Sequence, residues 1–165
     1  GHDTTVVAWA CRMPSGKIRV DCRIFAAAKD AVHHELAVGA HGQIAYTRIE
    51  DFIVEQCERF VVKEAAFDPT YLDRSADHLV DELPDTAVFP VQPGSAHYRE
   101  ALTVLDRLIL VGKLEHPGDP FMRAHVMATK AQRDPESQAM KSLRKRRQER
   151  RIAAVIAIAL AVWRA

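Results

Sequence analysis

The chain has 165 residues, of which 48% are hydrophobic and 27% charged, with 23 basic and 22 acidic side chains. This length predicts one domain, or one domain with an appendage, whose core needs no disulfide or metal to hold it together. Its hydrophobicity is too high and its net charge of +1 too low for an intrinsically disordered chain. The three cysteines are widely spaced and form no CxxC pair, which disfavours a disulfide framework or a zinc ribbon.

The near-neutral net charge hides an uneven distribution. Residues 141–165 carry eight basic side chains and one acidic, a net charge of +7, so the first 140 residues carry −6. An acidic body with a basic C-terminal segment differs from a neutral protein, because the basic part alone attracts polyanions. The near-neutral sum therefore does not exclude a nucleic-acid partner.

The first part of the chain predicts an antiparallel β-hairpin. Residues 4–13 are rich in β-branched and aromatic side chains and end at the turn signal Pro14-Ser15-Gly16-Lys17. Residues 18–26 then alternate apolar and polar side chains with a period of two. Residues 27–46, which contain several alanines and two glycines, predict a short helix and a loop.

Helices and strands alternate after that. A capping box at Thr47-Arg48-Ile49-Glu50 predicts a helix start, residues 60–67 predict a strand, and Pro69 predicts the start of the next helix. The later segments are a strand at 87–92, a helix capped by Ser95, an extended piece at 113–116, a helix at 121–130, a polar basic stretch and an apolar helix from about Ile152. A hairpin followed by this alternation predicts a mixed β-sheet with helices on its faces.

The longest apolar run extends from Ile152 to Trp163. Its 12 residues are too few to cross a bilayer, which needs about 20. The basic cluster before it leaves an interfacial membrane helix open, but a buried terminal helix is the simpler interpretation.

Asp68 is the leading candidate for a functional side chain. It follows an apolar strand, and ligands bind at the carboxyl ends of strands in α/β sheets. The alternative is that Asp68 caps the next helix, since Asp-Pro is a common helix start. Asp73, Asp77 and Asp81 share one helix face and could hold a metal ion, although such a stripe is usually a solvated face.

The remaining polar residues carry weaker signals. The eight histidines show no zinc-binding spacing, and no glycine-rich phosphate-binding loop occurs. We expect His33, His34, His78 and His97 at the surface.

The basic segment, residues 141–151, has the charge density of a contact with a phosphate backbone. Its basic side chains are Lys141, Arg144, Lys145, Arg146, Arg147, Arg150 and Arg151. No aromatic residue lies among them, so base stacking is not indicated. The other interpretation of this segment is a solubilising face, and composition alone does not choose between the two.

Five segments of the chain match a known family pattern in order. Gly1-His2-Asp3-Thr4-Thr5-Val6-Val7 is similar to a glycine-rich turn followed by a strand written DSTAVV, and residues 61–69 are similar to a strand that ends in Asp-Pro. Residues 101–116 (ALTVLDRLILVGKLEH) are similar to a helix followed by G.L.H. Residues 120–126 (PFMRAHV) and 151–161 (RIAAVIAIALA) complete the set, the last being similar to a helix written KIDAVVALAMA. Over nearly the whole chain, the sequence resembles the C-terminal nuclease domain of the large terminase subunit of tailed bacteriophages.

The resemblance implies an RNase H-like α/β fold, a mixed β-sheet flanked by α-helices, over residues 1–165 with its first strand truncated. It implies a metal-dependent endonuclease that cuts concatemeric viral DNA during genome packaging. Two divalent cations, Mg²⁺ or Mn²⁺, would hold the scissile phosphate, and such hard cations bind carboxylate oxygens. The implied partners are double-stranded DNA, the terminase ATPase domain, the small terminase subunit and the portal, in the host cytoplasm and without a membrane.

The resemblance also implies three metal-binding carboxylates, and the sequence departs from that pattern twice. The first lies on a strand before the DSTAVV segment, a position that precedes these residues, while Asp3 matches a later turn aspartate that could lie near the metals. The third is the Asp of KIDA, where this chain has Ala153; Glu149, one helical turn earlier, could replace it only if the helix shifted. Asp68 matches the second.

We therefore expect weak or absent nuclease activity from these residues alone. Three explanations fit: an excerpt of a longer protein, an inactivated variant, or a prophage remnant. Two other functions stay open. One is a non-catalytic DNA-binding or packaging-motor interaction module that uses residues 141–151. The other is a different RNase H-like nuclease, such as a resolvase or integrase relative, which would need an acidic triad of its own.

Overall fold

A computed structural model describes residues 4–28, 32–147 and 151–165, apart from the side chain of Tyr71. Within these residues the elements follow in chain order: β1 (Thr4–Arg12), β2 (Ile18–Ala26), β3 (Glu35–Leu36), α1 (Tyr46–Arg59), β4 (Glu64–Phe67), α2 (Pro69–Glu82), β5 (Ala87–Pro90), α3 (Ala96–Leu110), β6 (Leu114–Glu115), α4 (Pro120–Met127), β7 (Thr129–Arg133), β8 (Met140–Lys145) and α5 (Ala153–Arg164). The predicted mixed α/β architecture is confirmed. None of the helices in the described ranges has the length and hydrophobicity needed to span a bilayer.

The predicted hairpin is confirmed and forms the largest sheet. β1 and β2 pair antiparallel over their full length, with Thr4 opposite Ala26 and Arg12 opposite Ile18. Gly16 adopts a φ of +79° in the turn between them, a conformation that glycine adopts without strain. The other edge of β2 pairs in parallel with β6 near its start and with β3 at its end.

A second, smaller strand pair lies beside this sheet. β4 and β5 pair in parallel and are joined by α2, and Phe67 lies opposite Pro90. Pro90 is tolerated because β5 is an edge strand among the described residues. β4 and β1 each pair along one edge only within the described ranges. We use the name strand gap for these two unpaired edges, which belong to strands that both pack against α5.

Helix α5 connects the two strand groups. Its residues are almost all apolar, and it packs against β1, β2, β4 and α3. A helix that is apolar on all sides is stable only when buried, so α5 forms the centre of the main core. A second core on the other face of the hairpin centres on Phe25 and packs beneath α1.

Helix α3 contributes the most deeply buried leucine of the main core. Leu102 is 1% exposed, whereas Leu110, at the end of the same helix, is 74% exposed. We expect Leu102→Ala to lower the free energy of unfolding by about 3 kcal/mol, because it leaves a cavity. The matched control Leu110→Ala should change it by less than about 0.5 kcal/mol. Denaturant unfolding checks both values, and equal destabilisation would contradict this packing of α3.

The structure corrects two predictions in the first half of the chain. No helix forms in the described residues between 27 and 45; Glu35–Leu36 instead pairs in parallel with the end of β2, because the free edge of β2 offers this short segment a strand partner. The predicted capping box is also wrong, since α1 begins at Tyr46 with Ala45 as an N-cap that makes no side-chain hydrogen bond.

Two further predictions are wrong in extent. The strand predicted over 60–67 shortens to Glu64–Phe67, and the helix predicted over 121–130 ends at Met127. Residues 129–133 pair with 140–145 as an antiparallel hairpin, so strand pairing overrides the local helical pattern. Much of the basic segment is therefore a β-strand.

Candidate functional site

Asp68 lies at the carboxyl end of β4, where the chain turns into α2. Its Oδ1 accepts a hydrogen bond from the backbone N–H of Thr70 at 2.9 Å, so Asp68 is the N-cap of α2, as the capping interpretation predicts. Its Oδ2 accepts no hydrogen bond from the residues that the structure describes. One carboxylate oxygen therefore fixes the helix start, and the other is able to bind a ligand.

The start of α3 lies at the same edge of the molecule. The N–H of Val91 donates to the carbonyl of Phe67 at 2.8 Å, and Ser95 Oγ accepts from the N–H of Tyr98 at 3.1 Å, which confirms the predicted cap. Burial raises the pKa of the Tyr98 hydroxyl, and the negative charge of Asp68 raises it further. Tyr98 therefore lies within electrostatic range of Asp68.

Helix α5 carries the position expected for the third carboxylate. Ala153, at that position, is the first residue of the helix. At its C-terminal end, Arg164 forms a bidentate ion pair with Glu64 at the start of β4, and the ring of Trp163 lies 5.3 Å from that of His97 in the first turn of α3. The C-terminal end of α5 therefore contacts both β4 and the start of α3.

The carboxylates in the described residues do not make up a metal site. Asp3 and Glu149 lie outside the described residues. Within the described ranges, no three His, Cys, Asp or Glu side chains come close enough together to hold a metal ion. Asp73, Asp77 and Asp81 are exposed on α2, which supports the solvated-face interpretation. Asp68 alone does not fit a site for two divalent cations.

The predicted DNA-binding residues lie in and after β8. Lys141, Arg144 and Lys145 are exposed on that strand, and Arg146 and Arg147, also exposed, follow it. Arg151 is half-buried, and Arg150 lies outside the described residues. We use the name basic hairpin for β7, β8 and the two arginines that come directly after β8.

The basic hairpin is fixed to the body of the protein on one side. Met140 and Leu143 pack into the main core, which leaves the basic side chains outside. Arg133 on β7 donates two hydrogen bonds to the carboxylate of Asp106 on α3, at 2.9 and 2.5 Å. Bidentate pairing of this kind fixes orientation as well as position. The exposed cations therefore stand on an anchored element.

One cross-strand pair of the basic hairpin carries like charges. Lys130 lies directly opposite Arg144, and both side chains are exposed. Like charges directly opposite each other destabilise a strand pair. The pair therefore concentrates positive charge on the hairpin at a cost in stability.

One histidine that the sequence analysis did not single out for a role, His34, holds the start of α4 in place. His34, predicted at the surface, is half-buried: its Nδ1 accepts from the N–H of Ile24 at 3.0 Å and its Nε2 donates to Asp119 at 2.9 Å. Asp119 caps α4 by accepting from the N–H of Met122. Burial raises the pKa of Asp119, but the hydrogen bonds from Met122 and His34 outweigh it and hold that pKa below its usual range. The surface prediction for His34 is wrong because Asp119, 85 residues away, covers its ring.

Comparisons with known proteins identify the family. The model of the terminase large subunit endonuclease domain matches residues 14–165 of this chain. Among solved structures, the large terminase of bacteriophage HK97 superposes with a TM-score of 0.80 at 18% sequence identity, over 99% of this chain and 37% of that protein. This match shows the fold and confirms the expected RNase H-like architecture. The curated protein sequences contain no match. The chain therefore belongs to the family of terminase large subunit endonuclease domains.

Proposed function

We propose that this chain is the endonuclease part of a phage DNA-packaging terminase and that its substrate is concatemeric double-stranded viral DNA. The family match over residues 14–165 carries the proposal. Asp68 supports it, because this carboxylate stands at a strand end with one oxygen able to bind a ligand. The proposed partners are the terminase ATPase domain, the small terminase subunit and the portal, and the proposed location is the host cytoplasm.

The proposal includes dependence on a divalent cation, Mg²⁺ or Mn²⁺, which this family generally requires. Asp68 is the metal-binding carboxylate that we propose among the described residues, in which no three His, Cys, Asp or Glu side chains lie close enough together to hold a metal ion. One carboxylate does not hold two such ions tightly, since divalent cations of this kind need several oxygen ligands. We therefore propose that residues 4–165 have weak or no nuclease activity without further carboxylates.

The strand gap is the place where one further carboxylate would enter. A strand between β1 and β4 would pair with both free edges and would be covered by α5, which packs against both of its neighbours. If it ran parallel to β4, its carboxyl end would lie beside Asp68. A carboxylate at that end, with another at position 153, would give the three-carboxylate set that the family resemblance implies.

Plasmid nicking with Mn²⁺ tests this proposal. We expect little nicking by the unmodified chain and detectable nicking when Ala153→Asp is combined with an added apolar strand, ending in Asp, before Gly1. The matched control adds the same strand ending in Asn. If Ala153→Asp with the Asp-ended strand restores nothing although the protein is folded and binds DNA, the assignment of the site is wrong.

A DNA-binding module without catalysis is the second candidate function, and the like-charge pair Lys130–Arg144 favours it. This function needs the basic hairpin and not Asp68. The two candidate functions therefore predict different results: the nuclease nicks DNA and depends on its carboxylates, whereas the module only binds DNA, in a way that depends on salt. We call the protein that carries Ala153→Asp and the added strand ending in Asp the restored protein. Salt-sensitive DNA binding without nicking in the restored protein would favour the module over the nuclease.

A further inference from the structure

Helix α5 begins without a capping side chain of its own. Its N-cap residue is Ile152, which makes no side-chain hydrogen bond. The first N–H groups of a helix have no partner within the helix and need acceptors from elsewhere. The N–H of Ala154 donates to Nδ1 of His125 on α4, at 3.2 Å. The imidazole of His125, a residue only 1% exposed, takes the place of a cap.

The hydrogen bonds of His125 fix the form of its ring. Nδ1 accepts from Ala154, so it carries no proton, and Nε2–H donates to the carbonyl of Val32 at 3.4 Å. A protonated ring would lose the Ala154 bond and would place a positive charge at the positive end of a helix. Burial lowers the pKa of His125, the Val32 carbonyl opposes that shift, and the nearby Arg151 and His34 add to it. The neutral Nε2–H tautomer is the form that the fold requires.

His125 also contacts the start of the basic hairpin. Its backbone carbonyl accepts a hydrogen bond from the hydroxyl of Thr129, the first residue of β7, at 2.8 Å. The end of β8 is also hydrogen-bonded to the end of α4. The N–H of Arg146, directly after β8, donates to the carbonyl of Ala128, directly after α4, at 2.8 Å. One residue on α4 therefore contacts both the first turn of α5 and the base of the basic hairpin.

We propose that His125 is a positioning residue: its neutral ring caps α5 and holds the first turn of that helix, with Ala153, in place relative to the basic hairpin. The hydrogen bonds of the His125 ring support the capping role by themselves. That this arrangement serves DNA cleavage rests on the proposed nuclease function. In that setting, His125 orients position 153 without touching substrate.

Amide exchange and nitrogen NMR of the ring test the cap directly. We expect the wild-type ring at pH 7 to show an unprotonated Nδ1 and a protonated Nε2. We expect His125→Phe, which keeps a ring and loses both hydrogen bonds, to speed exchange at Ala154 about tenfold. His125→Asn retains an acceptor close to the Nδ1 position and should keep exchange within about threefold of wild type.

His116 provides a matched control. Its Nδ1 also accepts a backbone N–H, from Gly118 at 3.1 Å, but it is exposed in a loop. His116→Phe should leave exchange at Ala154 unchanged. A protonated Nδ1 in the wild-type ring, or unchanged Ala154 exchange in folded His125→Phe, would overturn the cap. If His125→Phe does not fold, two measurements still test the cap: the tautomer of the wild-type His125 ring, and amide exchange at Ala154 in His125→Asn.

The pH dependence separates positioning from simple packing. Protection of Ala154 should fall as the pH drops below the ordinary range of histidine, in step with protonation of His125, and His125→Asn should remove that dependence. Nicking by the restored protein is measured separately. Absence of nicking in the protein with wild-type His125 would count against the proposed function and leave the exchange result standing. Faster Ala154 exchange with unchanged nicking in His125→Phe would overturn the positioning role.

Discussion

Replacing Asp68 by asparagine is expected to lower metal-dependent nicking roughly a hundredfold or more while leaving stability unchanged. Asparagine is as good an N-cap as aspartate, so the bond from Thr70 and the start of α2 are kept. The negative charge that a divalent cation needs is lost. Nicking rates of the protein carrying Ala153→Asp and the added strand, together with its thermal unfolding midpoint, measure the two effects.

Two control variants separate charge from capping. Asp68→Ala should lose the cap as well as the charge, at a cost of about 1 kcal/mol in unfolding free energy. Asp85→Asn removes an exposed aspartate that precedes β5 and so lies at the opposite end of the β4–β5 pair. In the protein that carries Ala153→Asp and the added strand, Asp85→Asn should leave the nicking rate unchanged. Full activity of Asp68→Asn would remove Asp68 from the site.

Neutralising the basic hairpin should weaken binding to duplex DNA by a factor of about 10² to 10³ at moderate salt. The variant replaces Arg144, Lys145, Arg146 and Arg147 by glutamine. For each of these cations that pairs with a DNA phosphate, its replacement should also reduce the slope of log K against log salt by about 0.9. Fluorescence anisotropy of a labelled duplex at several salt concentrations measures both quantities.

A control with the same change in net charge tests whether position matters. Replacing the exposed residues Lys63, Arg74, Arg107 and Lys113 by glutamine also moves the net charge from +1 to −3. If the basic hairpin is the interface, this control should keep most of the affinity and the slope. Equal losses in both variants, or binding by the unmodified chain that does not depend on salt, would contradict the assignment.

Local patterns in the sequence predict the fold well where neighbouring residues decide the structure. The alternation of residues 18–26, the Ser95 cap and the Asp68-Pro69 helix start all depend on contacts within a few positions, and the structure confirms each of them. The pairing of residues 129–133 with 140–145 was not predicted. That hairpin depends on Met140 and Leu143 packing into the core, which no local pattern reveals.

The candidate site is predictable only in part for the same reason. Asp68 is visible in the sequence because a strand end and a helix start meet there. His125 is not, because its partners Val32 and Ala154 lie 93 and 29 residues away. A single histidine in the segment PFMRAHV carries no spacing signal, and only the folded chain brings its ring to the first turn of α5.

The place of α5 in the chain also determines when the fold can close during synthesis. The strands that it covers come much earlier, and its end contacts lie far back along the chain: Arg164 meets Glu64 across 100 residues, and the carbonyl of Ala165 accepts from Arg12 across 153. Until the ribosome has made α5, the apolar faces of β1 and β4 lack the helix that covers both. Contacts of such long range slow folding, because the loop must close before any of them forms. The face of the β1–β2 hairpin that packs against α5 therefore stays uncovered until α5 has been made, whereas α1 covers the other face earlier.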